Sequence, residues 1–242
     1  MSAWERDLLD TWEGAASEPP VRRALALLRI VASGCTEDEL GSLTASQRDA
    51  LLLEFRRDFL GDEVGCCADC PACGELVEFS VAVSDLLAVC SVEQKGLPPL
   101  RLGDVEVWSR LPTCRDLAEC VDLPPEQRER ALLRACIERV ERRGQSVPVA
   151  RLSLRVRRGV ASWLEQSDAA SLTDVRFSCP RCGVGTTVPF DVTSFLFSEL
   201  ADWARQLLFD VHDLARAYGW TEAEILALPP RRRERYLEFV QA

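Results

Sequence analysis

The chain has 242 residues, of which 47% are hydrophobic and 28% are charged, and its formal net charge is −10. This composition is typical of a globular protein with a sizeable core and excludes a disordered chain. A net negative charge of this size repels DNA and RNA, and it therefore disfavours nucleic-acid binding.

The cysteine content indicates the compartment. No apolar run approaches the roughly 20 residues that a membrane-spanning helix needs, and the first residues do not resemble a secretion signal. Eleven cysteines in such a chain indicate a reducing environment, where thiols bind metal or lie in the core. We therefore expect a cytoplasmic protein that does not contact the membrane.

The first quarter of the chain is predicted to be helical. Pro20 suits the first position of a helix whose apolar residues recur at helical spacing as far as Val31. A later helix should end at Gly61, because glycine readily terminates helices. Two capping boxes, each a threonine followed three residues later by Glu or Gln, mark further helix starts: Thr36 with Glu39, and Thr44 with Gln47.

The centre of the chain is predicted to contain β-structure. Four apolar residues alternate with other residues, which is the period of a strand with one buried face: Val77, Phe79, Val81 and Val83. Gly103-Asp104 supplies the backbone freedom of a tight turn. A hairpin is therefore predicted between residues 100–102 and 105–108.

Three helices are predicted after this hairpin. The first starts at the capping box of Thr113 with Asp116, and the second follows Pro125 and is expected to include Val140. The third, residues 153–164, alternates like a strand at its start, but the helical spacing further on favours a helix.

The C-terminal part is predicted to be two short strands followed by helices. Alternating residues on either side of residues 179–183 indicate the strands. A long helix is predicted from Phe195, and Gly219 should end it. A capping box at Thr221 and a helix that begins at Pro230 complete the chain.

Two matched CPxCG motifs, which we call knuckles, carry the clearest chemistry: Cys70-Pro71-Ala72-Cys73-Gly74 and Cys179-Pro180-Arg181-Cys182-Gly183. A CxxC turn lets two sulfurs reach the same ion at about 2.3 Å, while Pro and Gly shape the turn and direct backbone amides toward sulfur. Two such turns complete a tetrahedron. We therefore predict one structural Zn²⁺ per chain, and its ligands are Cys70, Cys73, Cys179 and Cys182.

Other uses of these cysteines stay open at this point. The knuckles could form two separate sites, since Cys66 and Cys67 are alternative ligands near the first, or they could be a redox dithiol or unmetallated core cysteines. A redox role favours a thioredoxin-like βαβ setting, which the pattern lacks. Four thiolates close the coordination shell, so a catalytic zinc with an open position is disfavoured.

The spacing of the knuckles predicts the organisation of the chain. The 105 residues between Cys73 and Cys179 are far more than a compact zinc ribbon contains, so an α/β segment is predicted to be inserted between its halves. The predicted fold is α+β and mostly helical, with a small four-cysteine zinc-ribbon β centre. The predicted segments are an N-terminal helical segment (1–63), the first knuckle with its strands (64–86), the inserted hairpin and helices (87–172), the second knuckle with its strands (173–192) and the C-terminal helices (193–242).

Known catalytic motifs are lacking from the sequence. It contains no Gly-rich phosphate loop, no nucleophile elbow and no HExxH motif. The sole histidine, His212, lies on the predicted long helix, where a surface or hydrogen-bonded side chain is expected. We therefore predict that the protein is not an enzyme.

Several segments together resemble one known family. They are Pro20-Val21-Arg22-Arg23-Ala24-Leu25, Gln47-Arg48-Asp49-Ala50, both knuckles, Arg110-Leu111-Pro112-Thr113 with Asp116-Leu117, Pro189-Phe190-Asp191 with Ser194-Phe195-Leu196, the run 212–228, Arg232-Arg233 and Tyr236-Leu237-Glu238. Most of the chain thus resembles the contractile-tail baseplate hub assembly chaperone family, which occurs in tailed phages and in phage-derived contractile injection systems. Cys66-Cys67 and Pro229-Pro230 depart from the family pattern.

The resemblance implies a cytoplasmic, non-enzymatic factor that helps to assemble the baseplate hub or spike. Surplus apolar surface on the C-terminal helices could bind a hub protein that would otherwise associate prematurely. The candidate contact residues are Leu196, Phe197, Phe209, Trp220 and Tyr236.

Two other functions stay open. The chain could be a permanent structural component of the baseplate. It could also be a zinc-ribbon nucleic-acid binder, which the knuckles and the arginine-rich stretches 128–158 and 231–235 suggest. Glutamates are interleaved with these arginines, which favours solvated helix faces instead.

Overall fold

A computed structural model describes residues 3–90, 96–168 and 173–241 of the chain. The architecture is mixed α+β, and the strands form small antiparallel sheets. The α-helices in the described residues are α1 (Ala3–Ala15), α2 (Pro20–Val31), α3 (Glu37–Ser42), α4 (Ala45–Leu60), α5 (Val83–Cys90), α6 (Cys114–Val121), α7 (Pro125–Cys136), α8 (Leu154–Ser167), α9 (Val192–Tyr218), α10 (Glu222–Leu226) and α11 (Pro230–Gln241), and a short 3-10 helix spans Val149–Arg151. The strands are β1 (Glu63–Asp69), β2 (Leu76–Ala82), β3 (Leu100–Leu102), β4 (Val105–Ser109), β5 (Ile137–Arg142), β6 (Gln145–Ser146), β7 (Thr173–Ser178) and β8 (Gly185–Phe190).

The chain divides into two compact units. Met1–Ser33 and Thr193–Ala242 form the first, which we call the terminal unit, and Gly34–Val192 forms the second, the central unit. The two ends of the chain therefore belong to one unit. The segment 1–63, which the sequence suggests is continuous, contributes to both units.

The terminal unit is helical and is organised around α9. Its buried apolar residues recur three or four positions apart along α9, so they lie on one face of the helix. The core residues are Leu9, Ala204, Leu207, Val211, Leu214, Ile225 and Leu226. The predictions of a long helix that ends at Gly219 and of a helix that begins at Pro230 are confirmed.

All four capping boxes predicted from the sequence are present. In each, the threonine hydroxyl accepts a hydrogen bond from the backbone amide three residues later, and the Glu, Gln or Asp side chain accepts from the threonine amide. The reciprocal bonds satisfy amides that a helix start leaves unpaired. The boxes are Thr36 with Glu39, Thr44 with Gln47, Thr113 with Asp116, and Thr221 with Glu224.

A four-stranded antiparallel sheet with the order β3-β4-β5-β6 lies in the segment between the knuckles. The predicted hairpin at Gly103-Asp104 joins β3 to β4, and Gly103 adopts a φ of 67°, which glycine reaches without strain. The predicted helix over 153–164 is confirmed as α8, and it contributes Val156, Val160 and Leu164 to a core shared with this sheet.

Two boundaries differ from the sequence-based predictions. Val140 was expected in the helix that follows Pro125, but α7 ends at Cys136 and Val140 lies buried in β5. The expected strand through Val83 ends at Ala82, and Val83 begins α5. In both places a valine fits either period, and the tertiary packing decides which element it joins.

Candidate metal centre

Two β-hairpins of the central unit carry the knuckles. β1 pairs with β2 in antiparallel register from Glu63 opposite Ala82 to Asp69 opposite Leu76, and β7 pairs in the same manner with β8. Each CPxCG motif lies at the turn of its hairpin. This confirms the prediction that each knuckle connects two short strands.

The backbones of the two turns match. In the first, the Cys70 amide donates to the Glu75 carbonyl at 2.8 Å, and the Gly74 amide donates to the Cys70 carbonyl at 2.8 Å. In the second, the Cys179 amide donates to the Val184 carbonyl at 3.0 Å, and the amide of the matching glycine donates to the Cys179 carbonyl at 2.9 Å.

The glycine of each motif occupies the backbone region that other residues rarely adopt. The φ angles are 71° for Gly74 and 73° for Gly183. Glycine reaches this left-handed region without the clash that a Cβ atom would cause. The motif therefore contains glycine because the turn requires it.

The tertiary structure brings the four cysteine sulfurs together. They all lie within 4.8 Å of one another. Two of the separations join the knuckles, at 3.7 Å from Cys70 Sγ to Cys182 Sγ and 3.7 Å from Cys73 Sγ to Cys179 Sγ. A tetrahedral ion with sulfur ligands at about 2.3 Å has sulfur separations of about 3.8 Å, so the arrangement suits one metal ion shared by both knuckles.

A small hydrophobic cluster packs beneath the sulfurs. The rings of Phe79 and Phe177, one from each hairpin, stack with centroids 4.8 Å apart. Val77 and the first cysteine of each knuckle are buried in the same cluster. The two hairpins therefore have an apolar contact of their own in addition to the sulfurs.

An ion pair also connects the two knuckles. Arg181 Nη1 lies 2.9 Å from Glu75 Oε2, and the two side chains are 65% and 41% exposed. Exposed pairs of this kind contribute little to stability, typically about 0 to 1 kcal/mol. The pair is therefore one further contact between the turns, in addition to the sulfurs and the stacked rings.

The environment separates the pKa values of the thiols. Hydrogen bonds from the backbone amides of Ala72 and Cys73 and from Cys182 outweigh burial and lower the pKa of Cys70 from 9.0 to about 7. At Cys73 the backbone amide of Glu75 lowers the pKa, but burial and the neighbouring sulfurs outweigh it and raise the pKa to about 12. Neighbouring thiols cannot all ionise cheaply without a cation, and a bound divalent metal removes this cost.

Cys66 and Cys67 lie outside the cluster. Both are in β1, where Cys66 is opposite Phe79 and Cys67 is opposite Glu78. In the part of the chain that the structure describes, the four knuckle cysteines are the one group of three or more His, Cys, Asp or Glu side chains arranged to hold an ion. The geometry does not add Cys66 or Cys67 to the ligand set.

The five candidate contact residues fall into two classes in the terminal unit. Leu196 and Phe197 are only 1% and 6% exposed and belong to the interior. Phe197 lies under the guanidinium of Arg23, 4.7 Å from the ring centroid. Phe209 is 57% exposed, whereas Trp220 and Tyr236 are half-buried. The sequence could not separate these classes, because apolar spacing along a helix does not reveal which face another helix covers.

Further aromatic residues of the terminal unit are exposed, although the sequence-based predictions did not select them, and two of them lie beside Tyr236. Tyr218 is 39% exposed, and Phe239 is 66% exposed. The Tyr218 ring contacts the rings of Trp220 and Tyr236, and the Phe239 ring contacts that of Tyr236. Their places at the last position of α9 and near the end of α11 are the only sequence signal that could have indicated their exposure.

Within residues 3–90, 96–168 and 173–241, no helix is both long and apolar enough to cross a lipid bilayer.

Comparisons with known proteins identify the family. Residues 5–197, which include both knuckles and all of the central unit, match the family described as T4 bacteriophage base plate protein. A search of the curated proteins and a search of the solved structures found no match. The match spans most of the chain and confirms the resemblance to baseplate proteins. The chain therefore belongs to the T4 bacteriophage base plate protein family.

Proposed function

We propose that the protein is a non-enzymatic assembly chaperone or adaptor for the baseplate hub or spike of a contractile phage tail or contractile injection system. Its membership of the baseplate family carries this proposal. The sequence resemblance to hub assembly chaperones supports the more specific role. Such a factor acts in the cytoplasm of the producing cell, where tail parts are assembled.

We propose Zn²⁺ as the metal of the knuckles. Four thiolates are the ligand set of structural zinc sites, and the separation of 3.7 Å across the knuckles suits its tetrahedral geometry. With four protein ligands no coordination position is left for a substrate or water. The ion would hold the hairpin β1-β2 against the hairpin β7-β8 and so close the long segment inserted between them.

The terminal unit offers the better surface for a partner. Phe209, Trp220 and Tyr236 leave apolar area in contact with solvent, and Phe239 adds to it. The rings of Trp220, Tyr236 and Phe239 are in contact in series, and such a cluster of partly exposed aromatic residues is typical of a protein-binding site. Leu196 and Phe197 are buried, so the proposed surface does not include them.

The second candidate function is a permanent structural component of the baseplate. The family description, which names a base plate protein, favours it. The two roles differ in when the chain leaves its partner. A chaperone dissociates before the particle is complete, whereas a component remains in fixed stoichiometry.

Quantitative mass spectrometry of purified mature particles and of assembly intermediates tests the proposal. We expect the chain in hub or spike intermediates and less than about a tenth of the hub copy number in mature particles. The matched control is a known baseplate protein of the same particle, which should remain constant. Stoichiometric amounts of the chain in mature particles would establish the structural role instead.

A further inference from the structure

The C-terminal helices of the terminal unit expose a row of four aromatic rings. Tyr218 and Trp220 stack with centroids 4.6 Å apart, and Trp220 meets Tyr236 edge to face at 4.9 Å. Phe239 extends the row from Tyr236, with centroids 6.5 Å apart and 66% of its surface exposed. The ring contacts fix the row before any partner binds, so binding costs little side-chain entropy there.

Helix spacing places two arginines beside this row. Arg232, Arg235, Tyr236 and Phe239 are separated by three, one and three residues along α11, so they share one face of the helix. Glu234 and Glu238 lie four residues apart on another face. The exposed rings are therefore bordered by positive charge. We call Tyr218, Trp220, Arg232, Arg235, Tyr236 and Phe239 the aromatic–arginine face.

The remaining face of α11 packs inward. Leu237 contacts the core of the terminal unit. Arg233 is buried, and its two terminal nitrogens donate to the carboxylate of Glu5 at 3.2 Å each. Arg233 thus pairs with a carboxylate inside the terminal unit, whereas Arg232 and Arg235 on the aromatic–arginine face do not take part in this pair.

Arg232 and Arg235 are exposed, and neither forms an ion pair with a carboxylate in the described residues. Many other arginines of the chain do pair, for example Arg181 with Glu75 and Arg101 with Glu106. The aromatic–arginine face therefore presents two exposed arginines that are outside the ion pairs of the described residues, on a chain whose net charge is −10. A local charge of opposite sign to the whole protein favours a partner with a local cluster of carboxylates.

We propose that the aromatic–arginine face binds an acidic segment of a baseplate protein, with Asp or Glu side chains pairing with Arg232 and Arg235 and an apolar side chain covering Phe239. This inference rests on the proposed function. Arginine forms bidentate bonds with carboxylates, and aromatic side chains provide most of the energy at the centre of interfaces.

Nucleic acid is the competing ligand, because arginine and stacked rings also bind single strands. A nucleic acid carries a phosphate on every nucleotide. The negative field of the whole chain, including Glu234 and Glu238 on the same helix, would therefore repel it. A short acidic segment carries only a few charges and can place them at the two arginines. The charge distribution therefore favours the protein ligand.

The test uses the full chain and the baseplate proteins of the same particle, both as purified proteins and as overlapping synthetic peptides of about 15 residues. The charge variant is Arg232→Glu with Arg235→Glu, and the apolar variant is Phe239→Ala. The matched control is Arg130→Glu with Arg134→Glu, which makes the same charge change on exposed arginines of α7. All of the substituted side chains are exposed, and circular dichroism verifies that each variant folds.

We expect the wild-type chain to bind peptides rich in Asp or Glu that also carry Leu, Phe or Trp, and more weakly at higher salt. The charge variant and Phe239→Ala should each bind at least about tenfold more weakly, which is the loss expected when a residue at the centre of an interface is replaced. The control should bind like the wild type. Equal binding of a baseplate protein by the charge variant and the wild type would overturn the inference and leave the proposed function intact. Tighter binding of an oligo(dT) of about 15 nucleotides than of any peptide would also overturn it. If the wild-type chain binds no baseplate protein, the proposed function itself fails.

Discussion

The four knuckle cysteines have the same chemistry but different surroundings. The first cysteine of each motif, Cys70 and Cys179, is buried in the hydrophobic cluster between the hairpins. The second cysteine is more accessible, and Cys182 is exposed. Replacing a first cysteine should therefore remove packing as well as a ligand of the proposed metal, whereas replacing a second cysteine should remove mainly the ligand.

Cys182→Ser isolates the contribution of the metal. We expect metal content, measured by elemental analysis, to fall from one zinc per chain to well below half. The free energy of unfolding should fall by several kcal/mol, which lowers the Tm by about 10 °C for a chain of this size. Cys67→Ser is the control, since Cys67 is also exposed and lies outside the cluster. Full zinc content in both Cys182→Ser and Cys70→Ser would exclude a shared site.

At the scale of elements, the start of α6 depends on one carboxylate. Asp116 accepts from the Thr113 amide at 2.8 Å, and its two oxygens accept from Arg110 at 2.6 and 3.0 Å. Arg110 is the residue after β4, so the carboxylate connects the sheet to the helix. Burial raises the pKa of Asp116, but the bonds from Arg110 and Thr113 outweigh it and lower the pKa from 3.8 to about 2.

The pKa of Asp116 predicts a pH dependence of stability. Because the folded pKa is below the unfolded value, the carboxylate stabilises the fold fully above about pH 4, and this stabilisation is lost as the pH falls toward 2. Asp116→Asn should therefore lower the free energy of unfolding by about 1 to 2 kcal/mol at pH 7, and the difference from wild type should shrink between about pH 4 and pH 2.

Urea unfolding of both proteins across this pH range measures the difference. Both proteins retain the knuckle cysteines, so any loss of the proposed metal at low pH lowers both free energies of unfolding equally and leaves their difference unchanged. A difference that stays constant from neutral pH down to about pH 2 would contradict the assigned role of the Asp116 carboxylate.

At the scale of the whole molecule, one unit is built from the two ends of the chain. Glu5 in α1 and Arg233 in α11 are 228 positions apart in sequence, yet they form a buried ion pair that includes two hydrogen bonds. A buried charge is tolerated only when it is paired, so neither residue can be removed alone without cost. Because the two side chains must meet, the pair requires α1 to pack against α11 within the terminal unit.

Glu5→Gln should therefore destabilise the protein by about 3 kcal/mol, because it leaves the Arg233 charge buried without a counter-charge. The double variant Glu5→Gln with Arg233→Met should recover at least half of this loss. Glu18→Gln is the control, since its pair with Arg22 is partly exposed and should contribute less than about 1 kcal/mol. Thermal unfolding of the variants measures these differences, and equal effects at Glu5 and Glu18 would refute the interpretation.

Local sequence signals predicted the elements well and their mutual contacts poorly. The four capping boxes and the turn at Gly103-Asp104 are complete within a few residues, so their interactions could be identified without the fold. Val140 was assigned to the wrong element because its burial depends on β4, which lies about thirty residues earlier in the chain. Leu196 and Phe209 have similar apolar patterns on α9, but only the former is buried.

The sequence by itself determined the helix starts and the residue types of the candidate metal site, because each depends on side chains that are close together in the chain. Motifs distributed along the chain indicated the baseplate family. The tertiary structure alone decided that two knuckles 105 residues apart bring their sulfurs within 4.8 Å. It also decided that the two chain ends share one unit and that Tyr218 and Phe239 remain exposed beside Arg232 and Arg235. These features depend on contacts between segments that are distant in the chain. Such contacts form only when the whole chain folds, because only then are apolar surfaces and paired charges buried together.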